Sequence, residues 1–157
     1  MYRGQIVTTD LILALVIAVM IMVAINSQWG AMLKNNDASE AKIAAEKAAY
    51  LSSFFLIDGP GYPQNWNVSN VTIIGLAKDL NVIDQRKFIE LMKIDNYTLP
   101  NMLGIPDFKV FINLTKTNDR TINSTGLRPI LPNTSAVIMS YVVFNNTLSR
   151  LYVTVWK

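Results

Sequence analysis

Two pairs of carboxylates are the side chains in this sequence that could serve as a general acid and a general base. The pairs are Asp84 with Glu90 and Asp107 with Asp119. Such chemistry requires both carboxylates in one cleft, about 5 to 9.5 Å apart. Nothing in the sequence places either pair in a common cleft, and we interpret all four residues as solvated surface charges. The sequence therefore predicts no catalytic residue.

The absence of two residue types limits the remaining chemistry. The sequence contains neither histidine nor cysteine. This excludes disulfide bonds, zinc or copper sites built from these side chains, and nucleophilic catalysis by a Ser-His-Asp or Cys-His arrangement. The turn Gly59-Pro60-Gly61 is not followed by the Gly-Lys-Ser/Thr of a phosphate-binding loop. We predict that the protein has no metal and no cofactor and is not an enzyme.

Seven Asn-x-Ser/Thr sequons are the most frequent chemical signal in the chain. Such a sequon is the acceptor of an N-linked glycan on an exported protein. The seven candidate glycosylation sites are Asn67, Asn70, Asn96, Asn113, Asn123, Asn133 and Asn145. The sequence contains 15 asparagines, so a composition rich in Asn and Thr that carries no sugar is the alternative. Asn113 falls in a predicted strand, so its side chain must face outward to be usable.

Aromatic and basic side chains are the other residue types that could form a binding surface. Tyr97, Tyr141, Tyr152 and Trp156 could form a patch that binds a sugar or a surface, but packing in the core or on a sheet face is the simpler interpretation. The net charge of +3 comes from basic residues scattered along the chain. A nucleic-acid interface would need them clustered on one face, so we predict no nucleic-acid partner.

An uncharged apolar segment dominates the organisation of the chain. This segment, Leu11 to Ile25, reads LILALVIAVMIMVAI, with Asp10 before it and Asn26 after it. As a helix it would be about 22 Å long, and its flanks extend it to the roughly 20 residues that a membrane span needs. A secretory signal peptide and a buried core helix are the competing interpretations. We favour a membrane-spanning helix with Trp29 as an interfacial anchor.

Helical character continues beyond the apolar segment. Residues 38–49 consist mostly of alanine, lysine and glutamate, which are strong helix formers. Leu51, Phe54, Phe55 and Ile57 then add large apolar side chains, which makes this half of the helix amphipathic and able to cover a sheet. A cleaved signal peptide would have no reason to continue into such a helix. We predict one helix over residues 6–57.

The rest of the chain is predicted to form a compact head of mixed structure. Two glycines and two prolines in Asp58–Pro63 end the long helix, and Asp84 can cap a short one. Alternating apolar residues predict strands at Phe108–Leu114, Ala136–Phe144 and Leu148–Trp156. The fold class is therefore predicted as α+β, with the amphipathic half of the long helix packed on a small antiparallel sheet.

The start of the chain resembles a known processing signal. The motif Arg3-Gly4-Gln5, followed by Asp10 and the apolar segment, resembles the class III signal peptide of archaeal type IV pilin-like proteins. The resemblance implies that a prepilin peptidase cleaves between Gly4 and Gln5 on the cytoplasmic side of the membrane. It divides the chain into a processing segment (residues 1–5), the long helix (residues 6–57) and an extracellular head (residues 58–157).

A second resemblance covers the start of the head. The residues PGYPQNW at 60–66 and IGLA at 74–77 resemble segments in the heads of the same family. The resemblance implies no catalytic role for them. We predict that Trp66 closes the core beneath a rigid turn.

The resemblance also implies a role for Asp10. A carboxylate next to an apolar helix costs about 2.5 kcal/mol or more at bilayer depth unless it is paired. In the pilin family the new N-terminal amine of a neighbouring subunit could pair with it and set the axial register of assembly. The alternative is that Asp10 caps the first turn of the helix.

These features predict a structural subunit of an archaeal type IV pilus-like surface filament. Its partners would be the membrane, copies of itself or other pilins, and the prepilin peptidase. The N-terminus would be cytoplasmic before processing, and the head would lie outside the cell. The alternatives are a non-polymerising single-span membrane-anchored surface glycoprotein, an archaellin-type motility filament, and an enzyme with an N-terminal anchor.

Overall fold

The chain has an α+β fold, and the computed structural model describes residues 3–157. Met1 and Tyr2, the first two residues of the predicted processing segment, lie outside the described residues. Side chains are described from residue 10 onward, except at positions 31, 33–35 and 37. The elements are α1 (Arg3–Asp58), β1 (Ala77–Asp79), β2 (Val82–Ile83), α2 (Gln85–Lys93), α3 (Leu99–Met102), β3 (Lys109–Lys116), β4 (Thr121–Gly126), β5 (Ser135–Phe144) and β6 (Thr147–Trp156).

The predicted fold class is confirmed. Helix α1 agrees closely with the helix predicted over residues 6–57. The strands β3, β5 and β6 coincide with the three predicted strands, and β4 adds a weak edge strand within a segment that reads as polar and turn-rich. The six strands form one sheet in the order β1-β2-β5-β6-β3-β4. All neighbours are antiparallel except β2 and β5.

A tight turn fixes the register of the central hairpin. Strands β5 and β6 pair from Ser135↔Trp156 to Phe144↔Thr147, which leaves two residues between them. Those residues, Asn145 and Asn146, have φ angles of 50° and 57°. A two-residue turn with two positive φ values matches the twist of antiparallel strands, and asparagine tolerates this conformation. The Asn-Asn sequence therefore has a local structural reason in addition to its sequon.

The chain divides into two compact units, Met1–Glu40 and Ala41–Lys157. The first consists of the N-terminal part of α1, and its described side chains are exposed. The second contains the C-terminal part of α1 and all six strands. Ala45 is the first position along α1, among the described side chains, that is fully buried. The division therefore falls within the helix, where its side chains begin to pack.

Small residues, together with Leu56, form the buried face of α1. The buried positions are Ala45, Ala48, Ala49, Ser52, Ser53 and Leu56. Short side chains let a helix approach a sheet closely, and the hydroxyls of Ser53 and Ser140 on β5 are 3.2 Å apart. The prediction that large apolar residues would cover the sheet was wrong for Leu51, Phe54 and Phe55, which are 36%, 46% and 48% exposed. Ile57, predicted with them, is half-buried and packs against the core.

The core lies between this helix face, α2 and one face of the sheet. Inward-facing residues of β3 and β6 alternate with outward-facing ones, as in any strand with one buried face. Helix α2 contributes Phe88 and Leu91, and the ring of Phe88 packs edge-on against Phe144 with centroids 5.8 Å apart. As predicted, Asp84 caps α2, because its Oδ1 accepts a hydrogen bond of 2.8 Å from the backbone N–H of Arg86.

A cluster of glycines around Trp66 joins the end of α1 to the sheet. Trp66 is 3% exposed, and its indole N–H donates a 2.8 Å hydrogen bond to the carbonyl of Gly75. The backbone N–H of Leu76 donates to the carbonyl of Leu56 at 2.8 Å, and that of Ala77 donates to the carbonyl of Gly59 at 3.1 Å. The segments 60–66 and 74–77 therefore have a structural role, with Trp66 closing the core as predicted.

Candidate functional site

The apolar segment lies in a helical stretch that leaves its side chains uncovered. In the described part of the chain, Asp10–Gly30 is a helical stretch of 21 residues that is long and apolar enough to cross a membrane. Exposure of its large apolar side chains ranges from 43% at Val16 to 69% at Leu11. The interpretation as a buried core helix was wrong within this structure, because none of this stretch is buried. The stretch is compatible with a membrane anchor or with a signal sequence.

Asp10 lies inside α1 and not at its start. The helix begins at Arg3 and has no acidic residue in its first turn. Only the first turn of a helix leaves N–H groups free for a capping carboxylate, so the geometry does not support the capping alternative for Asp10. The backbone of Arg3, Gly4 and Gln5 belongs to α1. The side chains of Arg3 and Gln5 lie outside the described part of the structure. The processing site and the register role of Asp10 stay predictions.

The seven predicted sequons differ in accessibility. Asn67, Asn70, Asn133 and Asn145 have exposed side chains, and they are positions that a glycan could occupy without a change in packing. Asn96, Asn113 and Asn123 are half-buried. The side-chain oxygen of Asn96 accepts a 3.1 Å hydrogen bond from the backbone N–H of Gly126, which gives this residue a structural role. Glycosylation itself stays a prediction at all seven sites.

Three of the four aromatic residues that could form a binding patch lie on one face of the sheet. Tyr141 on β5 and Tyr152 and Trp156 on β6 all point away from the core, on the face opposite α1. The indole N–H of Trp156 donates to the carbonyl of Leu127 at 3.0 Å. Tyr97 lies before α3, outside this face, and is 75% exposed. The alternation of residue types in β6 predicts that Tyr152 and Trp156 share one face of the sheet. The pairing register that places Tyr141 of β5 on the same face does not follow from the sequence.

One of the two carboxylate pairs lines a common cleft, contrary to the sequence interpretation. Asp84 and Glu90 both lie on the wall of a cleft of about 430 Å³ beside Trp66. Both carboxylates have structural partners: Asp84 caps α2, and Glu90 accepts hydrogen bonds from Lys93 Nζ at 2.5 Å and from the backbone N–H of Val68 at 3.1 Å. The hydrogen bond from Lys93, followed by that from Val68, lowers the pKa of Glu90. A general acid needs a raised pKa, and the pKa of Glu90 is shifted in the opposite direction.

The second carboxylate pair has a different arrangement. Asp119 forms an ion pair with Arg150, with 2.9 Å between Oδ1 and Nη1. Asp107 is exposed in the loop before β3. Within the described residues, no three His, Cys, Asp or Glu side chains form a group that could hold a metal ion.

A buried lysine, Lys87, lines the cleft and forms a hydrogen bond with the turn Gly59-Pro60-Gly61. Lys87 is only 7% exposed, and its Nζ donates hydrogen bonds to the carbonyls of Pro60 at 2.7 Å and Ala77 at 3.4 Å. Burial lowers the pKa of Lys87, and the nearby carboxylate of Asp84 offsets this only in part. The side chain therefore fastens the loop after α1 to helix α2, at the cost of holding an ammonium group away from water.

Replacing Lys87 by methionine is expected to lower the free energy of unfolding by about 1–2 kcal/mol at neutral pH, because two carbonyls lose their donor. With a lowered folded-state pKa, the unfolded wild type binds more protons than the folded one at alkaline pH. Its stability therefore rises as the pH approaches the unfolded value of about 10.4. The variant lacks this gain, so its deficit should widen with pH. Chemical denaturation of the full chain at neutral pH and at about pH 10 measures the difference in unfolding free energy between the variant and the wild type.

The matched control for this variant is Lys78→Met, which removes an exposed lysine near the same loop. It is expected to leave the stability unchanged at both pH values, and it corrects for the titration of other groups. A Lys87→Met deficit that narrows with pH, or a variant as stable as the wild type at neutral pH, would contradict the role assigned to Lys87.

Comparisons with known proteins do not extend these observations. No protein-family model, no curated protein and no solved structure matches the chain significantly.

Proposed function

We propose that this protein is a structural subunit of an archaeal type IV pilus-like surface filament, anchored and assembled through α1. The observation that carries the proposal is the uncovered apolar helical stretch Asp10–Gly30, which continues in the same helix as the face that packs on the sheet. The motif Arg3-Gly4-Gln5 before it resembles the processing signal of archaeal pilin-like proteins.

The exposure of the apolar stretch is the physical reason to expect a partner. Burial of apolar surface contributes about 25 cal/mol per Å², and nearly every residue between Asp10 and Gly30 offers such surface. A bilayer can cover this helix before assembly, and copies of the same helix can cover it afterwards. Contacts of one face of a subunit with a different face of the next do not close on themselves and produce an open filament.

A second uncovered surface on α1 supports contacts beyond a bilayer. Within the C-terminal unit, Ile43, Tyr50, Phe54 and Phe55 remain between 46% and 62% exposed. The rings of Tyr50 and Phe54 stack with centroids 6.5 Å apart. Exposed apolar patches of this kind usually mark protein contacts, and the heads of neighbouring subunits in a filament would supply such contacts.

The second candidate function is a non-polymerising single-span surface glycoprotein. The accessible sequons at Asn67, Asn70, Asn133 and Asn145 favour it, because they suit an exported protein whether or not it assembles. The apolar stretch would then serve only as a membrane anchor. The archaellin-type filament has no structural observation in its favour.

The mature N-terminus distinguishes processing from simple anchoring. Mass spectrometry of protein released from the cell surface is expected to show a chain that begins at Gln5, with its first residue free or cyclised. Mechanical shearing should release this form in filaments visible by electron microscopy. Surface protein that keeps Met1 would contradict processing, and processed protein found only as monomers in the membrane would favour the glycoprotein.

A further inference from the structure

The outer face of the sheet, opposite α1, contains a groove with a volume of about 330 Å³. Small-molecule sites typically occupy about 300–1,000 Å³. Strands β3, β5 and β6 form its floor, and the turn between β3 and β4 contributes to its wall. Its lining includes Phe111, Asn113, Thr115, Val137, Tyr152 and Thr154.

Polar atoms at this groove are buried without a hydrogen-bond partner. In the described part of the chain, they include Asn113 Oδ1 and Thr115 Oγ1; Nε of Arg150, which does not itself line the groove, is unpaired as well. Thr115 is only 5% exposed, and it lies directly opposite Arg150 across the β3–β6 pairing. Most buried polar atoms in proteins are hydrogen-bonded. An amide oxygen, which accepts, and a hydroxyl, which both donates and accepts, are left unpaired in the lining and indicate a ligand that carries both donors and acceptors.

The charges at the groove cancel one another. Arg150 Nη1 pairs with Asp119 at 2.9 Å and also donates to the hydroxyl of Tyr152 at 3.2 Å, while Nη2 donates to the carbonyl of Thr117. The hydrogen bond to Tyr152 and the carboxylate of Asp119 raise the pKa of Arg150. A phosphate or another strongly charged ligand would have to compete with this ion pair. The groove therefore suits a neutral ligand.

Aromatic and aliphatic groups form the apolar part of the lining. The rings of Phe111 and Tyr152 lie on neighbouring strands, and the methyl groups of Thr154 and Val137 are paired across β6 and β5. Sugars present apolar C–H faces beside hydroxyl groups that both donate and accept hydrogen bonds. Aromatic rings with a polar group at one end fit surfaces of this mixed type.

We propose that this groove binds a neutral oligosaccharide. Asn113 and Thr115 offer the hydrogen-bonding groups, and Tyr152 and Phe111 offer the apolar surface. Asn113 and Thr115 also belong to a sequon, but Thr115 and the side-chain oxygen of Asn113 are buried, which favours the role of a glycan-binding surface over that of a glycan acceptor. The glycan could come from an N-linked chain of this protein or from an external polysaccharide. The proposal does not depend on filament formation.

The test uses the full chain, produced in a host without N-glycosylation and held in a detergent without a sugar headgroup. Maltotriose, cellotriose and mannotriose serve as probes, and calorimetry with saturation-transfer NMR detects binding. We expect at least one of them to bind with a millimolar or lower dissociation constant. No binding by any of the three would overturn the proposal.

Two matched pairs of variants locate the binding site. Thr115→Val removes only the buried hydroxyl and is expected to weaken binding about tenfold, whereas Thr115→Ser keeps the hydroxyl and should bind as the wild type does. Tyr152→Leu should abolish binding, while Tyr97→Leu removes an exposed tyrosine outside the groove and should have no effect. Because the hydroxyl of Thr115 has no hydrogen-bond partner in the protein, its removal leaves no further polar atom unpaired, and the Thr115→Val variant should fold normally. Equal affinity of the Thr115→Val variant and the wild type would contradict the assignment.

The source of the glycan follows from a comparison with the native protein. If both the glycan-free and the native protein bind the probe, the ligand is an external polysaccharide. If the native protein binds only after enzymatic deglycosylation, its own N-glycan occupies the groove. Either result supports the groove as a glycan site. An absence of filaments on cells would overturn the proposed function and leave the binding result unchanged.

Discussion

Replacing Asp10 by alanine is expected to leave the protein in the membrane fraction and to abolish its assembly into filaments. The carboxylate lies at the edge of an exposed apolar helix, where an unpaired charge at bilayer depth costs about 2.5–3.5 kcal/mol. Insertion therefore does not need it. Assembly would use it to bind the N-terminal amine of a neighbouring subunit. Membrane fractionation and electron microscopy of sheared material measure the two effects separately.

The controls for this prediction change charge and position one at a time. Asp10→Glu keeps the carboxylate and is expected to assemble at a reduced level. Asp58→Ala removes an exposed carboxylate at the other end of α1 and should assemble normally. Filaments of normal yield from Asp10→Ala would rule out the register role. Loss of Asp10→Ala from the membrane fraction would instead assign the carboxylate a part in insertion.

The place of Asp10 in the mature chain depends on the cleavage position. Cleavage between Gly4 and Gln5 would make it the sixth residue, and cleavage after Gln5 would make it the fifth, where the pilin family usually has an acidic residue. One residue corresponds to a rotation of about 100° around a helix. The mature N-terminus therefore decides whether the Asp10 carboxylate faces the same neighbour as the family pattern implies.

Strong periodic patterns made most of the fold predictable. Helix α1 follows from an apolar run joined to alanine-rich sequence, and β3, β5 and β6 follow from alternation with period two. The strands Ala77–Asp79 and Val82–Ile83 were not predicted, because two or three residues carry no period. They exist through pairing with each other and with the C-terminal end of β5.

The buried face of α1 shows where a pattern of residue types is insufficient. Large apolar side chains such as Phe54 and Phe55 usually mark the covered face, but here Ala45, Ala49 and Ser53 take that face. The choice depends on how closely the helix approaches β5, which is a property of the assembled fold. The same reasoning applies to the outer groove, since the neighbours of Asn113 and Thr115 are set by strand register and not by their own sequence.

Replacing Gly75 by alanine is expected to reduce the free energy of unfolding of the C-terminal unit by about 3 kcal/mol or more. A Cβ atom at this position would lie 2.3 Å from the carbonyl oxygen of Gly59 and 2.4 Å from the amide nitrogen of Gly61. Both are backbone atoms, so the added methyl group cannot be accommodated by a side-chain rotation. Overpacking of a rigid site commonly costs 1–3 kcal/mol, and here two segments must separate.

The effect should spread to every contact that this turn makes. Separation of Gly75 from Gly59 would lengthen the hydrogen bonds that join Leu76 to Leu56 and Ala77 to Gly59. It would also move the carbonyl that accepts the indole N–H of Trp66. Near-ultraviolet circular dichroism of the full chain in detergent is therefore expected to show a lower unfolding temperature, by about 10 °C.

Gly59→Ala is the control for this substitution, because it adds the same methyl group to the same turn. Its Cβ would meet only ordinary contacts, at 3.8 Å from the carbonyl oxygen of Phe55 and 3.9 Å from the nitrogen of Gly61. We expect it to change the free energy of unfolding by less than about 1 kcal/mol. If Gly75→Ala were as stable as Gly59→Ala, the close backbone approach would not be what holds α1 to the sheet. If only Gly75→Ala unfolds early, the close approach of the backbone at Gly59 and Gly61 is the reason that residue 75 is a glycine.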